Sequence, residues 1–161
     1  MDEFRNFHNP NKVAVEINFE SIMIRALKII KCSLTNSNIE LVYNYNSNEI
    51  IKMYDNEIIQ VILNILKNAQ DNFNEKNIDN RKIIITTESK SLSICDNGGG
   101  IPVDIIKNIF DSYFSTKDEK KGTGLGLDIS KTIVEEHHNG NLTAKNTDSG
   151  VCFSIEIEGV S

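Results

Sequence analysis

The chain has 161 residues, of which 39% are hydrophobic and 25% charged, an ordinary composition for one globular domain with a real core. Its net charge of −6 argues against a broad basic surface for nucleic acid. No apolar run approaches the ~18 residues of a membrane span, and the N-terminus lacks a signal peptide. Cys32, Cys95 and Cys152 are far apart with no CxxC, which predicts reduced intracellular thiols, with neither a zinc site nor a disulfide framework.

Hydrophobic periodicity predicts elements in the order βαββαββααββ, with strands arriving largely in antiparallel pairs. In chain order these are a strand at 13–18, a helix at 19–33, strands at 39–46 and 49–55, and a helix at about 56–74. Strands at 82–88 and 91–97, helices at about 102–109 and 125–138, and strands at 141–146 and 150–158 follow. Asp55 is the predicted N-cap of the long central helix. The order indicates an α/β (α+β) two-layer sandwich, with a mixed, mostly antiparallel sheet and its long helices on one face.

The central helix carries two asparagines four residues apart, within NILKNAQDN at 64–72. At ~100° per residue, one face of this helix collects the polar side chains and the other collects the apolar ones. The polar set is Glu57, Gln60, Asn64, Lys67, Asn68 and Asp71. This face is either a solvated surface or a site for a hydrated cation, because Mg²⁺ prefers oxygen ligands such as a side-chain amide.

The stretch CDNGGGIP, at 95–102, ends a predicted strand in Asp96. The Asp96 carboxylate could accept hydrogen bonds from the exocyclic amine and ring edge of a base. Gly98 and Gly100 would let the backbone pass close to a flat ligand, since neither has a Cβ. A glycine turn capped by Asp96 is the alternative interpretation.

The stretch KKGTGLGLDISKTIVEEH, at 120–137, alternates Gly122, Gly124 and Gly126 immediately before a predicted helix. Exposed N–H groups at a helix N-terminus form an anion site suited to phosphates. The GxGxG spacing and the polar stretch before it exclude a Rossmann motif. A Walker A motif is excluded because no GK[ST] follows. A flexible loop with glycine hinges is the alternative.

The stretch IFDSYFSTK, at 109–117, spaces Phe110, Tyr113 and Phe114 so that they share one helical face. These rings would anchor one end of a mobile loop and leave Lys117 free to approach phosphates. In the alternative interpretation, the three aromatic rings are ordinary core residues and Lys117 is simply solvated.

In this order, the four stretches resemble the N, G1, F and G2 boxes of the histidine-kinase catalytic domain, a member of the GHKL ATPase superfamily. The similarity covers about residues 13–158. It implies a catalytic and ATP-binding domain at 13–161, preceded at 1–12 by the tail of a dimerisation helix and a linker. The implied cofactors are ATP and Mg²⁺.

The resemblance also assigns roles on the central helix. Asn68 would ligate Mg²⁺ through its amide oxygen, with Asn64 assisting directly or through water. Lys67 and Asp71 would lie near the phosphates and the water shell of the metal. Asn64, Lys67 and Asn68 are therefore the implied catalytic residues.

For the nucleotide, the resemblance implies that Asp96 recognises the adenine amino group. The other implied binding residues are Gly98, Gly100 and Ile101 in the G1 box, Phe110 and Lys117 at the F box, and Gly122, Thr123, Gly124, Leu125, Gly126 and Leu127 in the G2 box. The last six would form the hinge of an ATP lid at about 115–121 and the helix start that cradles the phosphates. The chain departs from the family at Gly150-Val151, where Gly-Thr is frequent, and at His138-Asn139-Gly140, where HGG is usual.

The superfamily contains both ATPases and kinases, and the identity of Asn64 helps to distinguish between them. Gyrase, mismatch-repair and heat-shock ATPases, and related serine kinases, carry Glu four residues before the metal-binding Asn. An amide has no useful basicity, so the resemblance favours phosphoryl transfer to a histidine. A stand-alone serine kinase of the anti-sigma type and a degenerate protein-interaction module are the alternatives.

The partners follow from the same resemblance. His8, His137 and His138 do not fit a phosphoacceptor box, which places the acceptor on a separate dimerisation domain of the same kinase. A response regulator would act downstream. We expect an isolated domain that is monomeric and cytoplasmic, either free or as the cytoplasmic part of a membrane-anchored sensor, without nucleic-acid or membrane contacts of its own.

Overall fold

The structure is a computed structural model, which describes residues 12–111 and 124–160. Its elements follow the predicted order. They are β1 (Val15–Ile17), α1 (Phe19–Asn36), β2 (Glu40–Tyr45), β3 (Ile51–Met53), α2 (Asp55–Lys76), β4 (Lys82–Glu88), β5 (Ser91–Asp96), α3 (Val103–Ile106), α4 (Gly124–Thr132), β6 (Asn141–Asn146) and β7 (Val151–Glu156), with a π-helical turn (Ile133–His137) directly after α4. Within the described ranges, no helix is both long and apolar enough to cross a membrane.

The strands form a five-stranded sheet in the order β2-β4-β5-β7-β6 and a separate two-stranded sheet of β1 and β3. In the larger sheet β2 runs parallel to β4, and the other neighbours are antiparallel. The predicted mixed, mostly antiparallel sheet is confirmed. The expectation that consecutive strands pair is wrong for β2 and β3, which belong to different sheets, because pairing depends on where α1 and α2 lead the chain.

The long helices cover one face of the large sheet. Alternate residues of the central strands are buried, as the two-residue period of a strand requires when one face is covered. On the covered face they are Ile83, Ile85, Leu92, Ile94, Phe153 and Ile155, and they belong to one core with Ile22, Met23, Ile62, Leu66 and Phe73 of α1 and α2. This arrangement confirms the two-layer sandwich and turns the polar face of α2 away from the core, with Asn64 against α4.

Two cysteines correct the prediction of reduced thiols. Cys95 on β5 lies directly opposite Cys152 on β7, and the two are joined by a disulfide across 57 residues of sequence. Only Cys32, which is exposed, is a free thiol. Sequence spacing could not reveal the pair, because the register of two distant strands brings the side chains together.

The start of α2 also differs from the prediction. Tyr54 occupies the N-cap position without a side-chain cap, and Asp55 is the first helical residue. The Asp55 carboxylate instead accepts a hydrogen bond from the Arg25 guanidinium of α1 at 2.7 Å. A carboxylate in the first turn is still favourable, because it lies near the positive end of the helix dipole.

His138 fastens the end of the π-helical turn to the start of α2. Its side chain is fully buried, its Nε2 accepts a hydrogen bond from the Tyr54 backbone N–H at 3.0 Å, and its Nδ1 lies 2.8 Å from the Ile133 carbonyl oxygen. Since a carbonyl oxygen only accepts, Nδ1 carries the proton and the ring is neutral. Burial is the main cause that lowers the pKa of His138 below its ordinary value of 6.5.

We expect the free energy of unfolding to fall when the pH drops from about 7.5 to about 5.5. The unfolded chain takes up a proton at His138 below 6.5, whereas the folded ring resists protonation until a lower pH. The stabilisation is therefore present above the ordinary pKa and is lost below it. Urea unfolding at the two pH values measures this change, which His138→Gln should reduce. An equal pH dependence in wild type and His138→Gln would contradict this account.

Candidate functional site

The polar face of α2 points away from the core and is partly exposed. Asn64, Asn68 and Asp71 are half-buried there, and Lys67 is exposed. Lys67 Nζ lies 3.2 Å from Asp71 Oδ1 in an i,i+4 ion pair. The helix therefore brings two amides, a carboxylate and an ammonium group to one surface, as the sequence predicts.

Asn64 connects this face to α4. Its Nδ2 donates to the Gly126 carbonyl oxygen and to Ser130 Oγ, both at 3.1 Å. A Cβ added at Gly126 would lie 3.4 Å from Asn64 Cγ, at van der Waals contact distance, so Gly126 packs directly against the Asn64 side chain. The structure thus joins the N box and the G2 box, which are 62 residues apart, through Asn64.

Asp96 lies at the end of β5, where its side chain faces the helices. It is only 7% exposed, and its Oδ1 accepts a hydrogen bond from the Gly98 N–H at 2.9 Å. Burial raises the pKa of Asp96, while hydrogen bonds from the Gly98 and Val151 N–H groups and the nearby charge of Lys76 act in the opposite direction. A buried carboxyl with a perturbed pKa beside a glycine loop is a candidate functional group.

Two α2 residues that the sequence reasoning missed hold the glycine loop. Asn72 Nδ2 donates to the Gly98 carbonyl oxygen at 2.9 Å. Lys76 Nζ donates to the carbonyl oxygens of Gly98 at 3.2 Å and Gly100 at 3.0 Å. Both lie on the same stripe as Asn68, four and eight residues further along, so the helical period could have identified them.

The small size of the loop glycines is used by the protein itself. A Cβ at Gly98 would lie 2.5 Å from Asn72 Nδ2, and one at Gly100 would lie 2.9 Å from Asn146 Oδ1. Asn146 also holds Ile101, accepting from its N–H at 2.8 Å and donating to its carbonyl oxygen at 2.6 Å. That the glycines admit a flat ligand stays a prediction; the structure shows that their lack of a Cβ admits the side chains that shape the loop.

The remaining predicted residues are placed as follows. Phe110 is half-buried, edge-on to Phe153 with ring centroids 6.3 Å apart, and Lys131 Nζ lies 5.1 Å from the centre of its ring. Gly124 and Leu125 belong to the first turn of α4, and the Leu127 side chain is buried in the core. Among the residues named in the predictions, His8, Tyr113, Phe114, Lys117, Gly122 and Thr123 lie outside the described ranges, as does the predicted lid at about 115–121.

The residues present suit a nucleotide with a hydrated divalent cation. Amide and carboxylate oxygens on α2 are the donor types that Mg²⁺ takes in proteins. The buried Asp96 carboxylate can accept hydrogen bonds from an amino group of a base. These donor groups lie on elements that the Asn64, Asn72 and Lys76 contacts hold together.

Comparison with known proteins gives a consistent result. The family model for histidine kinase-, DNA gyrase B- and HSP90-like ATPases matches residues 54–160. Among curated proteins, the two-component sensor PprA of Pseudomonas aeruginosa is 33% identical over 115 residues, which cover 67% of this chain and 12% of PprA. The sensor protein KdpD of Clostridium acetobutylicum is 38% identical over 104 residues, which cover 62% of this chain and 11% of KdpD. The chain therefore spans only about a tenth of these relatives.

Among solved structures, the nucleotide-free catalytic domain of histidine kinase ThkA is similar over nearly its whole length. The TM-score is 0.79 at 28% identity, and the match covers 92% of this chain and 99% of that domain. ThkA in complex with the response regulator protein TrrA matches with a TM-score of 0.74 at 23% identity, covering 97% of this chain and 45% of that one. The second likeness concerns the fold alone.

Proposed function

Because the chain belongs to the histidine kinase-, DNA gyrase B- and HSP90-like ATPase family, we propose that it binds Mg-ATP and transfers the γ-phosphoryl group to a histidine on a separate dimerisation domain. The observation that carries the choice of a kinase is the chemistry of Asn64. Its amide has no useful basicity, and its nitrogen is already hydrogen-bonded to α4. The site therefore offers no base at this position to activate water.

Phosphoryl transfer can proceed without such a base, since it depends mostly on positioning and charge neutralisation. Asn68 would hold Mg²⁺, with Asn64 assisting, and Lys67 and Asp71 would lie near the phosphates. When bound, the metal would neutralise charge on the phosphates. Asp96 would accept from the adenine amino group, with Gly98, Gly100 and Ile101 around the base. Phe110 and Lys117 would border the nucleotide, and the G2-box residues 122–127 would form the hinge of the lid and the helix start that cradles the phosphates.

The domain organisation and partners form part of the same proposal. Residues 1–12 would be the end of a dimerisation helix and a linker, and 13–161 the catalytic domain. Lys12 supports this division, because it holds the end of the linker against the start of α2. Its Nζ lies 3.0 Å from Glu57 Oε2 and 4.4 Å from the centre of the Tyr54 ring. A response regulator would receive the phosphoryl group from the dimerisation domain. The domain would act in the cytoplasm, as a monomer when isolated, without binding nucleic acid or membrane.

Incubation with labelled Mg-ATP tests this function, in the presence and absence of a separately expressed histidine-bearing dimerisation domain. We expect an acid-labile phosphoryl group on the dimerisation domain and none on the isolated chain. Acid-stable phosphoserine on a partner protein would instead support a serine kinase of the anti-sigma type. A chain that binds no nucleotide would be a degenerate interaction module.

We expect Asn68→Ala to abolish the Mg²⁺ dependence of nucleotide binding and to leave the fold intact. The substitution removes one half-buried amide oxygen and no core contact of the apolar face of α2. Calorimetric titration with ATP, with and without Mg²⁺, measures the effect. Gln60→Ala, an exposed amide on the same helix, is the matched control and should behave as wild type. Unchanged magnesium dependence in Asn68→Ala would refute the metal role.

A further inference from the structure

Ser130 is a fully buried hydroxyl on α4 that the proposed function does not use. Its Oγ donates to the Gly126 carbonyl oxygen at 2.7 Å, one helical turn earlier. A hydroxyl carries a single hydrogen, so toward Asn64 Nδ2, 3.1 Å away, Ser130 can only accept. Two acceptors, Ser130 Oγ and Gly126 O, therefore face the same atom of Asn64.

These two acceptors determine which way the Asn64 amide points. They lie 2.7 Å apart, close enough for one amide N–H to be shared between them in a three-centre bond. If the amide were reversed, Asn64 Oδ1 would face the Gly126 carbonyl oxygen, and two acceptors would meet without a hydrogen between them. The nitrogen of Asn64 therefore faces α4, and Oδ1 is turned away from these acceptors.

We propose that Ser130 is a positioning residue, which holds the Asn64 amide with its oxygen presented to the hydrated Mg²⁺ of the bound nucleotide. This inference rests on the proposed Mg-ATP function. An amide oxygen suits a cation or its water shell, whereas an amide nitrogen would repel both. In this arrangement Ser130 itself touches neither metal nor nucleotide, and it acts only through Asn64.

The matched control is Thr132 on the same helix. Its Oγ1 donates to the Asp128 carbonyl oxygen at 3.2 Å, which repeats the back-bond of Ser130 to the preceding turn. Each of the variants Thr132→Ala and Ser130→Ala removes one such hydrogen bond to the preceding turn of α4. A change seen only in Ser130→Ala therefore reports on the Asn64 contact rather than on a lost hydroxyl in α4.

The first measurement needs no nucleotide. In the ¹⁵N–¹H NMR spectrum of the free protein, we expect Ser130→Ala to shift the side-chain amide signals of Asn64, because one acceptor of the shared bond is lost. Thr132→Ala should leave those signals unchanged. If the Asn64 side-chain signals are the same in Ser130→Ala and wild type, the contact does not hold the amide and the inference is overturned.

The second measurement is a double-mutant cycle, which compares wild type, Ser130→Ala, Asn64→Ala and the double variant. The quantity measured in each is the Mg²⁺ concentration at which the Mg²⁺-dependent gain in ATP binding is half complete. We expect Ser130→Ala to raise that concentration about fivefold, the effect of losing one hydrogen bond, and to leave metal-free ATP affinity unchanged. In the Asn64→Ala background the same change should add nothing. Equal shifts in both backgrounds would overturn the positioning role. A wild-type chain that binds no ATP would instead overturn the proposed function, while the NMR result would still decide the Ser130 contact.

Discussion

Asp96→Asn is expected to weaken ATP binding roughly 10- to 100-fold, the effect of losing a charge-assisted hydrogen bond. The carboxylate is almost fully buried at the end of β5, and Gly98 N–H donates to its Oδ1. Two acceptor oxygens can bond the backbone and still accept from an amino group of a base. An asparagine has one acceptor fewer and presents a donor in its place, so it cannot satisfy both.

Calorimetry with ATP and GTP in the absence of Mg²⁺ isolates this contribution to base recognition. ATP should lose affinity in Asp96→Asn, and the preference for ATP over GTP should fall, because the guanine ring has a carbonyl oxygen where adenine has its amino group. Asp148→Asn makes the same chemical change at an exposed position between β6 and β7 and should leave both affinities as in wild type. If Asp96→Asn leaves both affinities unchanged as well, Asp96 serves only to cap the glycine turn.

Gly150→Ala is expected to lower the free energy of unfolding by about 3 kcal/mol, the upper part of the range for overpacking. A Cβ at Gly150 would lie 1.9 Å from the Asp96 carbonyl oxygen and 2.8 Å from Asp96 Oδ1. Gly150 lacks a positive φ, so alanine meets no backbone strain and the effect is steric. The ends of β5 and β7 would have to separate, which would also move Asp96.

Urea unfolding measures this loss. The matched control is Ser149→Ala, which alters the exposed neighbouring residue of the same turn without placing an atom against Asp96, and it should unfold at the wild-type urea concentration. An unchanged midpoint for Gly150→Ala would show that the strands separate without cost. In the sequence, Gly150-Val151 stands out for the missing hydroxyl of Gly-Thr, whereas the structure shows that the glycine is needed for close approach to Asp96.

The local features of the chain could be predicted because they depend on neighbouring residues. The 3.6-residue period of α2 separates Asn64, Lys67, Asn68 and Asp71 from the core face, and the alternation of apolar and polar residues in β5 identifies the buried face of the sheet. The same period, carried two turns further, could have identified Asn72 and Lys76. Propensities also explain the error at Asp55, since an acidic residue is favourable both as an N-cap and in the first turn.

Other features arise only from packing between distant segments. The parallel pairing of β2 with β4, the register that places Cys95 against Cys152, and the two hydrogen bonds between Asn146 and Ile101 join residues far apart in sequence. A sequence pattern carries no information on such distances, because the register of a strand is set by the whole buried face. The Asn146 contacts and the position of Gly150 against Asp96 lie beside the carboxyl group that we propose to bind the base.

The sequence by itself therefore determined the order of elements, the two-layer class and the chemical groups available for a nucleotide and a cation, because each follows from local periodicity and composition. Tertiary structure alone decided how those groups are oriented. The sequence shows that residue 64 carries an amide, but only the packing of α4 against α2 determines that the amide nitrogen of Asn64 faces Gly126 and Ser130. The physical reason is that a hydrogen-bond partner selects one of two nearly isosteric amide orientations, and that partner comes from another part of the chain.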